Sequence, residues 1–392
     1  MRPVPHLFLT ALLLATPLLP KTAGAAVHCV TNAAELQAAL NQAAASHGDD
    51  EIRLREGIYT PQQTLVYNAS TAGWLFIEGG WRPEGANPCA QRGQSASSTV
   101  LDGAGQRQVL TIQYGSATVP VIIPRFSVAN LSLRNGVGAG FVRGGGLSMT
   151  SSATHHTELW VDNVIVADNS GYFGGGANLS VRNGLIRVAN SLFADNDAPT
   201  SAYGHLSITV VESVAANAVI VANSTFVNGA CQGNTGGQRG CGLGAGLGGG
   251  VRMDIVNSLF VDNAVSDVTS EGLSGVGFGN GNVHYSHSRI PASTGTLPPS
   301  VLAALSGDPR FVDASGRDFR LRDDSPFINQ GLGVVPIYGY RGHDLAGNLR
   351  VRFGSLDPGA YENQTWDLVF ADGFQSPPEG DSARSGADSP VR

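Results

Sequence analysis

Asp168 and Asp195 have the spacing that matters most for chemistry, because they hold the same position in two neighbouring copies of a short repeat. If the copies stack as adjacent strands, their carboxylates lie about 5 Å apart, the inter-strand spacing of a sheet. Two carboxylates at about 5 to 5.5 Å can act as nucleophile and general acid in a retaining glycosidase, or begin a Ca²⁺ site. Arg182 and Arg187 are the basic residues expected to join such a catalytic pair. The competing reading is a turn. The matching positions in the other copies are Asn135, Asn228 and Asp262, and asparagine makes the same Asx turn but cannot do carboxylate chemistry. The turn reading is preferred, so no catalytic residue and no metal ligand is assigned, and Ca²⁺ is kept only as an option at Asp168 and Asp195.

Other chemistries find little support. Lys21 is the single lysine and lies in a segment expected to be removed, which excludes Schiff-base and Ser/Lys mechanisms in the mature chain. His155 and His156 fall in a polar stretch, His284 and His287 flank Tyr285 and Ser286, and His343 precedes Asp344; all read as surface histidines. No G-x-S-x-G nucleophile turn accompanies them. The glycine-rich stretch 242–250 is followed by no lysine, which excludes a phosphate loop, and its spacing departs from calcium-binding G-G-x-G-x-D repeats.

Composition agrees with an exported, non-basic protein. Lys plus Arg number 24 against 31 Asp plus Glu, a net charge of −7, with no block of like charge, so a nucleic-acid partner is not expected. With 42% hydrophobic residues the chain can bury a large core. Arg2, an apolar run at 7–19 and Ala23-Gly24-Ala25 have the order of a secretory signal peptide, with cleavage expected after Ala25 or Ala26. That run is shorter than the roughly 20 residues a membrane span needs, so no transmembrane segment is expected in the mature chain. Four cysteines, Cys29, Cys89, Cys231 and Cys241, then read as two disulfides, and of three pairings Cys29 with Cys89 and Cys231 with Cys241 is favoured.

The elements that must position these groups show in the repeats. Near the start, Asn32 and Glu35 form a capping box, and Leu36, Ala39, Leu40 and Ala43 recur at helical spacing. Short β runs follow at 51–54, 74–78, 99–101 and 108–112. Five segments then align without gaps on Asn130, Asn163, Asn190, Asn223 and Asn257, separated by 33, 27, 33 and 34 residues. Each places a β-branched residue two before the asparagine and an apolar or aromatic residue three after it, and three intervals carry glycine triplets, at 144–146, 174–176 and 248–250. A unit of this length holds about three short strands and buries its apolar face only by stacking on the next. Stacking puts the five asparagines in one ladder, where amides bond from coil to coil. The fold expected is all-β: a right-handed parallel β-helix, a solenoid with an N-terminal capping helix.

The G-G-[GA] and F-x-x-N elements, here Gly174 to Ala177 with Phe193 to Asn196 and Phe260 to Asn263, resemble repeats of polymorphic outer-membrane proteins and of pectate-lyase-like right-handed β-helices. Asp308-Pro-Arg-Phe-Val, Asp318-Phe-Arg-Leu, Ser325 to Gly331, Asp344 to Arg350 and Gly359-Ala-Tyr-Glu362 resemble the closing module of secreted proteins called choice-of-anchor Q. Trp366 to Phe374 resembles a short D-G-F tail of exported bacterial proteins. The resemblance implies this division: signal peptide 1–25, N-terminal cap and first coils 26–114, repeat core 115–305, C-terminal coils 306–363, and tail 364–392. It implies export to the periplasm, outer surface or medium. The function expected is a non-catalytic, monomeric scaffold binding polysaccharide or a cell-surface component, without a required cofactor. The alternative is a polysaccharide lyase or glycoside hydrolase acting in a groove along the coils, with Asp168, Asp195, Arg182 and Arg187 as its residues.

Overall fold

The computed structural model describes residues 25–365 apart from 47, 72, 117, 121, 213–217, 233–239, 265–267, 273–281, 292, 296–298, 334–341 and 352–354. All but the last residue of the expected signal peptide, and all but the first two residues of the tail, lie outside the described residues.

The described chain is all-β, dominated by one large and mostly parallel sheet, which is compatible with a parallel β-helix. Its strands fall into three rows, and each strand pairs in register with the equivalent strand of the next repeat. The first row runs through Leu65–Ala69, Leu110–Tyr114, Leu147–Ser151, residues 177–181, Leu206–Glu212 and Leu243–Leu247. The second includes Asp50–Arg55, residues 74–78, 125–129, 157–162 and 184–189, Val219–Ala222, Arg252–Val256 and Asn282–Ser286. The third includes Thr99–Asp102, residues 131–134 and 164–167, Leu192–Ala194, Thr225–Val227 and Leu259–Val261.

Register explains the repeat. Ile77, Val128, Val161, Val188, Val221 and Ile255 stand in one column of the second row and are all buried. Three residues past the ladder asparagines, Phe193, Phe226 and Phe260 stack with nearly parallel rings, 4.8 and 4.4 Å between successive centroids. Like over like lets the interior pack closely because every coil presents the same shape to the next. Two glycine triplets lead into first-row strands, at 144–146 and 174–176. The third, 248–250, does not: it follows Leu243–Leu247 and turns the chain toward Arg252–Val256. Its alignment with the others fails because the fourth coil reaches the first row through Gly240, Cys241 and Gly242 instead.

The helix Ala33–Ala45 starts at Asn32, whose side chain accepts from the Glu35 amide, while Glu35 accepts from the Thr31 amide and hydroxyl. Those bonds satisfy amides that a helix start leaves open and hold the Glu35 carboxyl below its ordinary range. Its buried residues are Leu36, Ala39, Leu40 and Ala43, and they share one core with Ile52, Leu54 and Leu65. Gln37 bonds through its side-chain amide to both the N–H and the carbonyl of Val66, so it covers part of the edge of the first strand of that row. The disulfides join Cys29 to Cys89 and Cys231 to Cys241.

Residues 306–365 depart from the expectation of further coils. Their described strands, Phe311–Asp313 and Asp318–Leu321, form a separate antiparallel pair. Phe319, Leu321, Phe327, Leu345 and Ala360 form a second core against Leu192, Ala194, Val227, Leu259 and Val261 on the outer side of the third row. The segments 344–350 and 359–362 meet there. Arg350, fully buried, donates to the Gly359 carbonyl, the Glu362 amide donates to Asp344, and the Asp357 amide donates to Glu362. Burial first, then the Asp357 charge, pushes the Glu362 carboxyl up to about 8.

Candidate functional site

The ladder asparagines turn the chain from the second row to the third. All five have φ between 49° and 60° and are buried. Asparagine tolerates this left-handed conformation, and its amide bonds the neighbouring coil. Asn163 Nδ2 donates to Asn130 Oδ1 at 2.8 Å and Asn257 Nδ2 to Asn223 Oδ1 at 3.0 Å, while Asn190 Nδ2 turns to Asp162 Oδ1 at 3.0 Å. A second ladder, of hydroxyls, follows one residue on: the Ser191, Ser224 and Ser258 amides donate to Ser224, Ser258 and Ser288 Oγ. The dipeptide Asn-Ser at 190, 223 and 257 was its signal in sequence.

Asp168 and Asp195 also have positive φ, 58° and 52°, as do Asn135, Asn228 and Asp262 in the same column. Their carboxylates do not face an open groove. Arg317, from the turn between the two antiparallel strands, donates to both oxygens of Asp168 at 2.7 and 2.5 Å and pairs with Asp195 at 3.1 Å. Asn228 Nδ2 also donates to Asp195, at 3.1 Å. Both aspartates raise the affinity of the guanidinium for its proton, Asp168 most. Arg182 and Arg187 stand elsewhere. Arg182 is exposed at the end of a first-row strand, whereas Arg187 is on the second row, paired with Asp162 at 3.2 Å and lying over Trp160. The four residues are therefore not brought together. Among the described residues, no three His, Cys, Asp or Glu are grouped as a metal site.

The histidines have local partners. His155 shares a 3.0 Å hydrogen bond with Tyr114, and burial lowers its pKa. His156 lies 3.8 Å from Glu158. His287 takes the ladder position in the coil after Asn257, with φ 49°, and bonds Ser286. His343 pairs through its backbone alone with Leu349 in an isolated antiparallel bridge. His284 Nδ1 meets Ser300 Oγ at 2.9 Å, and Asp254 is on the adjacent strand in the same column. Both Asp254 oxygens accept from Arg252. His205, which the sequence reading passed over, is fully buried beside the stacked Phe193 and Phe226 rings and bonds Asn196 at 3.0 Å.

The open surface is the outer side of the first row. Asn68, Gln113, Thr150, Ser180 and Thr209 form one outward column there by register. An open groove of about 810 Å³ runs along the strand ends, lined by Asn68, Ser70, Gln113, Thr150, Ser152 and Ser180, with Arg182 the one charged side chain among its described residues. At the other end of these strands stands an aromatic shelf. Phe141, 82% exposed, meets Tyr172 edge-on at 5.0 Å, Tyr172 meets Phe173 at 4.6 Å, and Arg143 lies over Phe173 at 5.1 Å. The Tyr203 ring continues it as a buried member, lying on Gly244 so closely that a Cβ there would come within 1.9 Å of the ring; glycine is required by that approach. Hydroxyls and amides beside exposed rings can hydrogen-bond and stack a flat polar ligand.

Compared with known proteins, the chain matches no family and no curated protein. No helix among the described residues is long and apolar enough to cross a membrane. Two disulfides fit maturation in an oxidising, extracytoplasmic compartment.

Proposed function

We propose that this chain is an exported right-handed parallel β-helix, covered at its first coil by the helix Ala33–Ala45, and that it binds an extended polysaccharide without cleaving it. The observation that carries the reading is the outer side of the first row: a column of amides and hydroxyls, with a partly exposed aromatic shelf at the other end of its strands. Polar side chains on successive strands repeat at about 4.8 Å, so a regular chain laid along the row meets equivalent donors and acceptors at each step. One arginine in the groove supplies little attraction for a polyanion, and the ligand favoured is an uncharged glycan rather than an acidic one. No cofactor is needed for such binding. The alternative of a lyase or hydrolase would draw on Asp168 and Asp195, which share Arg317 instead of facing this groove.

The test is affinity electrophoresis of the full chain in gels carrying neutral glucan, mannan or xylan, and in parallel polygalacturonate or alginate. Retardation by at least one neutral polymer is expected. Phe141→Ala with Tyr172→Ala should weaken it about tenfold, the loss of one to two stacking contacts. Retardation by the acidic polymers alone would overturn the neutral reading, and new reducing ends or unsaturated products would establish the enzyme.

A further inference from the structure

We propose that a small cavity on the outer side of the second row is a binding site for a single neutral hexose ring, separate from the first-row groove. The register creates it. Phe76, Ser127, Trp160 and Arg187 form one outward column, and Glu78, Ala129 and Asp162 the next. Small Ser127 and Ala129 thus lie between larger neighbours two inter-strand spacings apart, roughly 10 Å. The notch left over them has a volume of about 220 Å³. That is below the roughly 300–1,000 Å³ of a drug-sized site and suits one ring rather than a chain.

Its lining specifies the chemistry. Phe76 supplies an apolar wall for the C–H face of a sugar. Trp160 opposite is fixed by two guanidinium groups, those of Arg125 and Arg187, each 3.9 Å from its ring centre. The Trp160 Nε1–H is enclosed but has no acceptor, and an orphaned donor beside a cavity is satisfied by a ligand oxygen. Glu51, Glu78 and Asp162 line the same space as acceptors for hydroxyl hydrogens. Each is already paired, with Arg53, Arg92 and Arg187 respectively, so the ring of charge is balanced. A bare cation or anion gains little from a balanced ring, whereas an uncharged polyol uses its remaining lone pairs.

The experiment titrates the full chain with glucose, galactose, mannose and N-acetylglucosamine, read by saturation-transfer NMR and tryptophan fluorescence, with tetramethylammonium as the cationic control. At least one sugar is expected to bind with a Kd of about 1 mM, ordinary for a ligand of this size. Trp160→Phe keeps the ring and removes the donor, and should weaken binding about fivefold. Ser127→Leu fills the notch and should abolish it, while retardation by polysaccharide in gels stays unchanged. No binding by any of the four sugars overturns the proposal. So does wild-type affinity in Trp160→Phe, which decides the matter if Ser127→Leu fails to fold, and so does preference for tetramethylammonium. Because the groove variants Phe141→Ala and Tyr172→Ala leave this cavity intact, failure here and failure of the polysaccharide reading are separate results.

Discussion

Arg317 grips Asp168 with two hydrogen bonds although the residues are 149 positions apart in the chain. The same guanidinium reaches Asp195 on the next coil, so one side chain of the C-terminal segment bridges two aspartates stacked on the repeat core. A pair that spacing alone marks as catalytic or metal-binding thus has a resident cation.

Removing that cation should cost little in absolute terms. Arg317 is half exposed, and solvent screens the pair, so Arg317→Ala is expected to destabilise by about 1 kcal/mol. The stacked carboxylates then repel, and Asp195→Asn added to Arg317→Ala should recover part of the loss. Urea unfolding at low and high salt checks this. A loss that does not shrink with salt would mean that Arg317 acts by packing and not by charge.

The ladder separates two effects at one position. Asn163 has φ 60° and donates to Asn130 and to the Gln94 carbonyl. Asn163→Gly keeps the conformation and loses the hydrogen bonds, for an expected cost of about 1–2 kcal/mol. Asn163→Ala also forces alanine into the left-handed region, which adds about 1–2 kcal/mol. Equal unfolding midpoints for the two variants would remove backbone conformation from the account of why asparagine stands there.

Much of this fold was legible because it is periodic and local. The ladder, the phenylalanine stack, the four buried helix residues and the spacing of the cysteines depend on neighbours in sequence or on one repeated shape. The C-terminal segment was not legible as an outer cover. Ala194, Val227 and Val261 are small apolar residues of short repeats, and nothing in 306–363 says that Phe319 and Leu321 lie on them. The groove was half legible. Polar and apolar residues alternate in 110–113, 147–150 and 177–180, but alignment on the asparagines drew attention to the other two rows. His205 replaces the third glycine of a triplet, Gly146 and Gly176 being its counterparts, and that substitution was its one signal.

The contact between Phe319 and the third row predicts a local failure. Phe319 is buried, and Phe319→Ala should cost about 3–5 kcal/mol by opening a cavity in the second core. Hydrogen exchange should then quicken first at the amides of Leu345 and Ala360, which bond to the Ala360 carbonyl and to Thr225 Oγ1, while first-row amides stay protected. Uniform loss across all three rows would show that the segment and the repeat core unfold as one unit.

His205 makes the core sensitive to acid. Burial lowers its pKa to about 3, against 6.5 in an exposed chain, because the imidazolium would lose its water among Phe193, Phe226 and Asn196. Above pH 6.5 the folded and unfolded states both hold it neutral, and stability does not depend on it. Below pH 6.5 the unfolded chain takes up a proton that the folded chain refuses, so stability falls until pH approaches 3. Between pH 6.5 and 4.5 the expected loss from this one group is about 2 kcal/mol. His205→Asn removes the titrating group, and its stability between those pH values should fall by about one proton's slope less than that of the unsubstituted chain, whatever its stability at pH 7. Denaturant midpoints measured at four or five pH values give both slopes, and parallel curves would place an imidazolium in the folded core after all.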